Sequence, residues 1–166
     1  VGEPLRLHVL GGRRFDAHFV AVRLAVDGEY RIEARSALDD HAGGYTLHIA
    51  QREAIWDAEL FADYVGHYIE GPWRYDTFIY LDGDRLMQSF DYTGVTGFEN
   101  IAISETDFIS AGDSALTVFT RDETGRVDGY AILVSLIHPV SGQWYYAERV
   151  GDLPPEFVEA LELSRR

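Results

Sequence analysis

The chain contains no cysteine and no lysine. All 14 of its basic residues are Arg, and its 166 residues include no Cys at all. Without Cys, the chain cannot form a disulfide, supply a thiol nucleophile or build a Cys-based zinc site. These absences exclude several classes of redox and hydrolytic chemistry, but they do not identify a cellular compartment.

Positive charge is scarce. Acidic residues number 28 against the 14 basic ones, which gives a formal net charge of -14. Because such a surface repels phosphates, binding to nucleic acid is not expected. The charge is compatible with a basic protein partner, with DNA mimicry or with a salt-rich habitat, but a solvated surface encoded by a GC-rich genome is the favoured interpretation.

Long hydrophobic runs are also missing. The longest one, Ala131 to Ile137, is interrupted by Ser135, whereas a membrane-spanning helix needs about 18 apolar residues. We therefore expect a soluble protein with no membrane span. The first residues lack a secretory signal, and since the chain does not begin with Met, we expect a processed product or an excised domain.

Recognisable catalytic motifs are absent. There is no Gly-x-Ser-x-Gly elbow, and Gly11-Gly12 is not followed by the Lys-Ser/Thr of a phosphate-binding loop. The six histidines do not have the i, i+4 or His-x-His spacing of a local metal site: His8, His18, His41, His48, His67 and His138. The sequence accordingly predicts no catalytic residue, no metal and no cofactor.

The most readable stretch runs from Trp73 to Thr93. Along its first arm the side chains fall alternately on two faces, as in a β-strand, and both faces carry large side chains. Asp82-Gly83 then provides a turn, and the second arm returns through Leu86, Gln88, Phe90 and Tyr92. This pattern predicts a β-hairpin, with one arm packed against a helix on one face and facing a cavity, a second sheet or a partner on the other.

Between about residues 51 and 69 the spacing of the apolar residues changes from two to four. Trp56, Leu60, Tyr64 and Tyr68 are spaced four residues apart, and Gly71-Pro72 follows. This spacing predicts the main helix of the domain, with its aromatic stripe in the core. A short C-terminal helix is expected after Pro154-Pro155.

Alternating apolar residues predict further strands along the whole chain. The segments are Leu5–Leu10, His18–Val26, Tyr30–Arg35, Tyr45–Ile49, Phe98–Ile103, Ala115–Thr120, Tyr130–Ile137 and Gln143–Val150. No linker or low-complexity tract divides them. We therefore predict a single α+β domain over residues 1–166, built on a mainly antiparallel, strongly twisted sheet or partly closed β-barrel.

Aromatic residues are concentrated in the predicted strands, and they are the best candidates for a binding surface. Amphipathic rings bury a large area and offer a polar tip, so pockets and protein interfaces use them often. The candidate binding residues are Trp73, Tyr75, Tyr80, Arg85, Tyr92, Trp144 and Tyr146. Their concentration also fits the general preference of aromatic residues for strands.

Two functions remain open from the sequence. The first is a non-enzymatic, acidic protein-binding domain of the inhibitor, immunity or assembly type, with a basic protein as its partner. The second is a barrel or cone that binds a small apolar or aromatic molecule in an aromatic-lined pocket, with cyclase- or isomerase-like catalysis as an extension. The acidic charge and the missing catalytic motifs favour the first.

Overall fold

The computed structural model of the protein describes residue 55 and residues 57–90, 97–110, 115–133 and 144–166. Eight strands and two helices lie in this part of the chain. In chain order they are α1 (Ala58–Ala62), β1 (Gly66–Glu70), β2 (Tyr75–Asp82), β3 (Arg85–Ser89), β4 (Gly97–Ala102), β5 (Asp107–Ser110), β6 (Leu116–Arg121), β7 (Val127–Leu133), β8 (Trp144–Gly151) and α2 (Pro155–Ser164).

The strands form a closed barrel. Each strand pairs with the next in antiparallel fashion, and β8 pairs back onto β1, so that the sheet has no free edge. The predicted antiparallel barrel is therefore confirmed, and it closes completely. The predicted strands before residue 50 lie outside the described residues.

The hairpin predicted at Trp73 to Thr93 is present as β2 and β3. Asp82 pairs with Arg85, and Gly83, at the first position of the two-residue loop, has a φ of +61°, which glycine adopts without steric cost. Thr77 and Ile79 of β2 face the barrel interior, whereas Phe78 and Tyr80 on its outer face pack against α2 through Phe157. One face thus meets a helix, as expected, whereas the other faces the core of the closed barrel and not a cavity, a second sheet or a partner.

Helix α2 lies on the outer wall of the barrel. Pro155 occupies its first turn, where a missing N–H costs nothing, and Glu156 suits the positive end of the helix dipole. The Phe157 ring stacks on the Phe78 ring at a centroid distance of 4.5 Å. At the other end, Arg165 donates hydrogen bonds to the Leu81 carbonyl and to Asp82, which fixes the C-terminus of α2 to the end of β2.

The predicted main helix over about residues 51–69 is wrong. Helix α1 covers only Ala58–Ala62, and the chain enters β1 at Gly66. Phe61, Tyr64 and Tyr68 are nevertheless buried in one core cluster. Their spacing therefore reflects a common burial site, which a short helix followed by a strand satisfies as well as a continuous helix does.

Helix α1 and the turn after it pack at one end of the barrel, which we call the α1 end. The Tyr64 ring stacks on Phe119 at 4.3 Å, and Phe61 contacts Phe108 at 5.4 Å. From β8, Arg149 donates hydrogen bonds to the carbonyl oxygens of Asp63 (3.1 Å) and Val65 (2.7 Å). These bonds satisfy carbonyls just past the end of the helix and hold it against the strands. No helix in the described part of the chain is long and apolar enough to cross a membrane.

Candidate functional site

The inner face of the barrel divides into an apolar and a polar region. The apolar region, towards the α1 end, contains Tyr68, Ile79, Leu86, Phe108 and Phe119. Because successive side chains alternate between the two faces of a strand, the next inward positions lie two residues further along each strand. Those on β2, β3, β5 and β6 are polar, and so is the β4 residue that pairs with Leu86 and Ser110. We call this set the polar belt: Thr77, Gln88, Asn100, Ser110 and Thr117.

Every residue of the polar belt is buried, and three of them carry polar atoms without partners. The Asn100 amide donates a hydrogen bond of 3.3 Å to the Gln88 side-chain oxygen. The other ends of this pair, Gln88 Nε2 and Asn100 Oδ1, have no hydrogen-bond partner among the described residues, and neither does Thr117 Oγ1. Burying such a group without a partner costs about 1–3 kcal/mol.

The lack of partners for this carboxamide pair does not depend on how the two side-chain amides are oriented. If both were turned by 180°, the bond between them would run in the opposite direction, and Gln88 Oε1 and Asn100 Nδ2 would become the free atoms. In either case one NH₂ nitrogen and one oxygen acceptor are left without a partner among the described residues. The belt therefore offers complementary hydrogen-bonding capacity to a molecule inside the barrel.

A carboxylate lies next to the polar belt. Glu70, at the end of β1, accepts a hydrogen bond of 2.7 Å from the Tyr130 hydroxyl, and the Thr77 hydroxyl lies 3.5 Å away. Burial, and then the charge of Glu70, raise the pKa of Tyr130 well above its usual range. The phenol consequently stays neutral and acts as a hydrogen-bond donor, which makes it a poor acid for proton transfer near neutral pH.

Aromatic side chains are exposed at the end of the barrel opposite α1, which we call the distal end. The exposed fractions are 51% for Trp73, 58% for Tyr75, 45% for Trp144 and 69% for Tyr146. The Trp73 ring lies 6.2 Å from Tyr75 and 5.3 Å from the half-buried ring of Tyr145. We call Trp73, Tyr75, Trp144, Tyr145 and Tyr146 the aromatic surface.

The turn between β1 and β2 positions this surface. Gly71 and Arg74 both have positive φ, at 61° and 56°, and the Gly71 amide donates a hydrogen bond of 2.9 Å to the Tyr146 carbonyl. This bond links the turn to β8. Side chains that are far apart in the sequence, Trp73 and Tyr145, therefore meet at the distal end.

The remaining candidate residues from the sequence are placed elsewhere. Tyr80 is buried on the outer wall, 5.5 Å from the Phe157 ring. Arg85 lies at the α1 end of the hairpin and forms an ion pair with Asp82. Tyr92 falls outside the described residues. Of the seven candidates, Trp73, Tyr75, Trp144 and Tyr146 lie at the distal end, where the Trp73 and Tyr75 rings are neighbours, whereas Trp144 and Tyr146 lie on the face of β8 opposite to Tyr145.

Sequence reasoning did not single out the polar belt, although a signal was present. Gln88 lies on the same face of its strand as Leu86, and Thr77 lies on the same face as Ile79. A polar residue at an inward position of an apolar strand is unusual. The polar residues can be recognised as inward-facing only when the inner face is known. The inner face is defined only once the strands are known to close into a barrel.

A groove of about 440 Å³ at the α1 end contains three arginines, Arg121, Arg126 and Arg149. Two of them are already engaged: Arg121 donates to Asp63 and to the Gly125 carbonyl, and Arg149 binds carbonyl oxygens next to α1. These contacts explain the two guanidinium groups as structural. Among the described residues, no group of three or more His, Asp or Glu side chains is arranged to hold a metal ion.

Comparison with family models, with curated proteins and with solved structures finds no significant match. Function must therefore be inferred from the chemistry of the barrel interior and of the aromatic surface.

The buried tyrosines predict a loss of stability at high pH. Burial raises the pKa of both Tyr68 and Tyr130 above that of a free phenol, which is about 10 in an unfolded chain. Above that pH the unfolded chain loses protons that the folded chain keeps, so the free energy of unfolding should fall by about 1.4 kcal/mol per pH unit for each tyrosine. Below about pH 10 these phenols are protonated in both states, so they do not lower the free energy of unfolding.

Urea unfolding at a series of alkaline pH values measures this effect. Burial raises the pKa of Tyr64 as well, so we expect Tyr68→Phe to make the decline shallower without abolishing it, because it removes one of three buried phenols. Tyr146→Phe is the matched control, since its ring is exposed. Equal slopes for the wild type and both variants would contradict the prediction.

Proposed function

We propose that this chain is a non-catalytic binding domain that holds a small molecule at the polar belt inside the barrel. The observation that carries the proposal is a set of three buried polar atoms, on Gln88, Asn100 and Thr117, that have no hydrogen-bond partner in the part of the chain that the structure describes. Three such atoms together would cost several kcal/mol if nothing filled their hydrogen-bonding capacity. A bound molecule with complementary groups would recover much of that cost.

The architecture supports this proposal. The interior of an eight-stranded barrel is just wide enough to be filled by side chains or to hold one small ligand. Here Phe61 and Tyr64 pack at the α1 end, so a ligand would not reach the belt past these two rings. The exposed rings of Trp73 and Tyr75, at the opposite end of their strands, would provide apolar contact area for a molecule that approaches there.

Binding is better supported than catalysis. Tyr130 is the described side chain that could act as a buried proton donor next to the belt, but its raised pKa opposes proton release near neutral pH. The Gln88 and Asn100 carboxamides do not titrate. The cyclase- or isomerase-like extension therefore has less chemical support than simple binding.

Native mass spectrometry of the protein purified from its source cells tests the proposal, with the denatured mass as a reference. We expect the wild-type protein to retain an added mass that the double variant Gln88→Met, Asn100→Leu does not retain. Val158→Thr on the exposed face of α2 is the matched control and should retain it. The proposal is wrong if the wild type retains nothing, or if the double variant retains the same mass.

A stability measurement on Thr117 tests the cost of the unpartnered groups. Thr117→Val keeps the shape of the side chain and removes a buried hydroxyl that has no partner among the described residues. We expect the free energy of unfolding without ligand to rise by about 1 kcal/mol, because the desolvation penalty disappears.

Urea unfolding of the ligand-free protein gives this value. The comparison variant Thr117→Ser keeps the hydroxyl and loses a methyl group, so it should be less stable than the wild type. If Thr117→Val were clearly destabilised instead, the hydroxyl would have to make a favourable bond, and one support of the ligand site would be removed.

A second function is favoured by the aromatic surface. Exposed Trp and Tyr side chains are typical of protein interfaces, where such residues often supply much of the binding energy, and four of them lie at the distal end. The net charge of -14 would attract a basic partner and speed its association. We propose protein docking at the distal end as the alternative to ligand binding.

Affinity capture from source cells tests this alternative, with the wild-type protein and two double variants as the three baits. A specific partner should be basic, should dissociate as the salt concentration rises, and should be lost with Trp73→Ala, Tyr146→Ala. It should be kept by the double variant Gln88→Met, Asn100→Leu, which changes only the interior. A captured protein that binds all three baits equally would count against docking at the aromatic surface.

A further inference from the structure

We infer that the molecule bound at the polar belt presents a neutral amide edge, in which a carbonyl oxygen lies beside an N–H group, as in a lactam, an imide or a primary carboxamide. This inference rests on the proposed function and specifies its ligand. It follows from which hydrogen-bonding groups the belt leaves unused, and from which charges lie near them.

Besides the Thr117 hydroxyl, the unused groups of the belt are an amide nitrogen and an amide oxygen on two neighbouring side chains, Gln88 and Asn100. Gln88 and Asn100 lie diagonally across the paired strands β3 and β4, since Leu86 pairs with Asn100 and Gln88 pairs with Phe98. Their mutual hydrogen bond holds one end of each carboxamide, so the other ends present an N–H and an oxygen. An amide edge offers the complementary acceptor and donor on adjacent atoms.

The surroundings disfavour a charged ligand. Gln88, Asn100 and Thr117 are neutral at every physiological pH. Burying an unpaired charge is far more costly than burying a neutral polar group. A neutral amide therefore fits the belt better than an anion does.

Specificity should come from the paired hydrogen bonds. A site whose buried polar groups match a ligand rejects analogues that leave one of those groups unpaired, because the desolvation penalty then returns. A ketone would satisfy the free N–H and leave the free oxygen without a donor. A lactam of the same ring size would satisfy both.

Titrations with three small cyclic probes test the inference: δ-valerolactam, cyclohexanone and cyclohexanol. Binding is followed through the side-chain amide resonances of Gln88 and Asn100 in two-dimensional ¹H–¹⁵N spectra of the full chain. We expect the lactam to shift both resonances and to bind at least about tenfold more tightly than the ketone or the alcohol, a difference of about 1.4 kcal/mol. Gln88→Met and Asn100→Leu should each remove that preference, and Val158→Thr should keep it.

Three results would overturn the inference: equal binding of lactam and ketone, tighter binding of the alcohol, or saturation of the belt by bridging water with no probe binding at all. The native mass measurement separates this failure from that of the proposed function. A retained natural molecule without an amide edge would overturn the ligand class and leave the binding function intact. If no molecule is retained and no probe binds, both proposals fail.

Discussion

Replacing Phe119 by Ala should lower the free energy of unfolding by about 3–5 kcal/mol, the range found when a buried Phe is truncated. Phe119 is 3% exposed and lies at the centre of the apolar region. Its ring stacks on Tyr64 at 4.3 Å and contacts Phe108 at 5.3 Å and Tyr130 at 5.6 Å. The substitution thus removes several ring contacts and leaves a cavity that the rigid barrel wall cannot fill.

The effect extends to the packing of α1. Because Tyr64 follows the helix and lies on the Phe119 ring, loss of that ring removes part of the support for the α1 end. We therefore expect α1 to gain solvent accessibility as well, which amide hydrogen exchange at Phe61 and Tyr64 would detect. The polar belt lies further along the strands and should keep its Gln88 and Asn100 resonances.

Urea unfolding followed by tryptophan fluorescence measures the change in stability. Phe119→Leu retains most of the buried volume and should lose much less stability than Phe119→Ala. Phe90→Ala is the matched control, because Phe90 is 41% exposed and its truncation should cost less than about 1 kcal/mol. A loss below about 1 kcal/mol for Phe119→Ala would contradict the central position assigned to this ring.

The sequence predicted the parts of the fold that depend on local signals. Alternation along β2 and the glycine that follows Asp82 define a hairpin within about twenty residues, and both features are present in the structure. Likewise, Pro155 and Glu156 mark the start of α2 where it was expected. In these elements, the turn chemistry and the side-chain period agree.

The failure at residues 66–69 has a different cause. Leu60, Tyr64 and Tyr68 are four residues apart, which is helical spacing, and the prediction extended that spacing through Gly66. Glycine is a poor helix residue, and His67, Tyr68 and Ile69 alternate as a strand does. Gly66 is also needed where it is: a Cβ there would lie 2.8 Å from Arg149 Nε and 2.9 Å from the Gly151 carbonyl oxygen.

The candidate site was only partly predictable for a related reason. Trp73, Tyr75, Trp144 and Tyr146 could be selected by residue type alone, because exposed aromatic residues are informative wherever they lie. Gln88, Asn100 and Thr117 become informative only when they are known to face inward. That knowledge requires the pairing of β8 with β1, which joins residues about eighty positions apart and has no local signature.

Replacing Gly129 by Ala should have the largest effect on stability, a loss of about 4 kcal/mol or more, because it creates a steric conflict with the backbone in a buried position. Gly129 lies in β7 opposite Glu148 of β8. A Cβ at this residue would fall far inside the contact distance of the Ala147 carbonyl oxygen. A backbone atom cannot turn aside as a flexible side chain can, so β7 and β8 would have to separate locally.

The separation would damage the barrel where it closes, since β8 must pair with β7 on one side and with β1 on the other. Gly151→Ala on β8 is the matched control, because a Cβ there meets no atom within 4 Å and should change stability by no more than about 0.5–1 kcal/mol. Thermal and urea unfolding of the two variants, with hydrogen exchange along β7 and β8, provide the comparison. Equal stability of Gly129→Ala and Gly151→Ala would mean that the two strands are not held as closely as the structure places them, and the closed inner face on which the polar belt depends would lose its support.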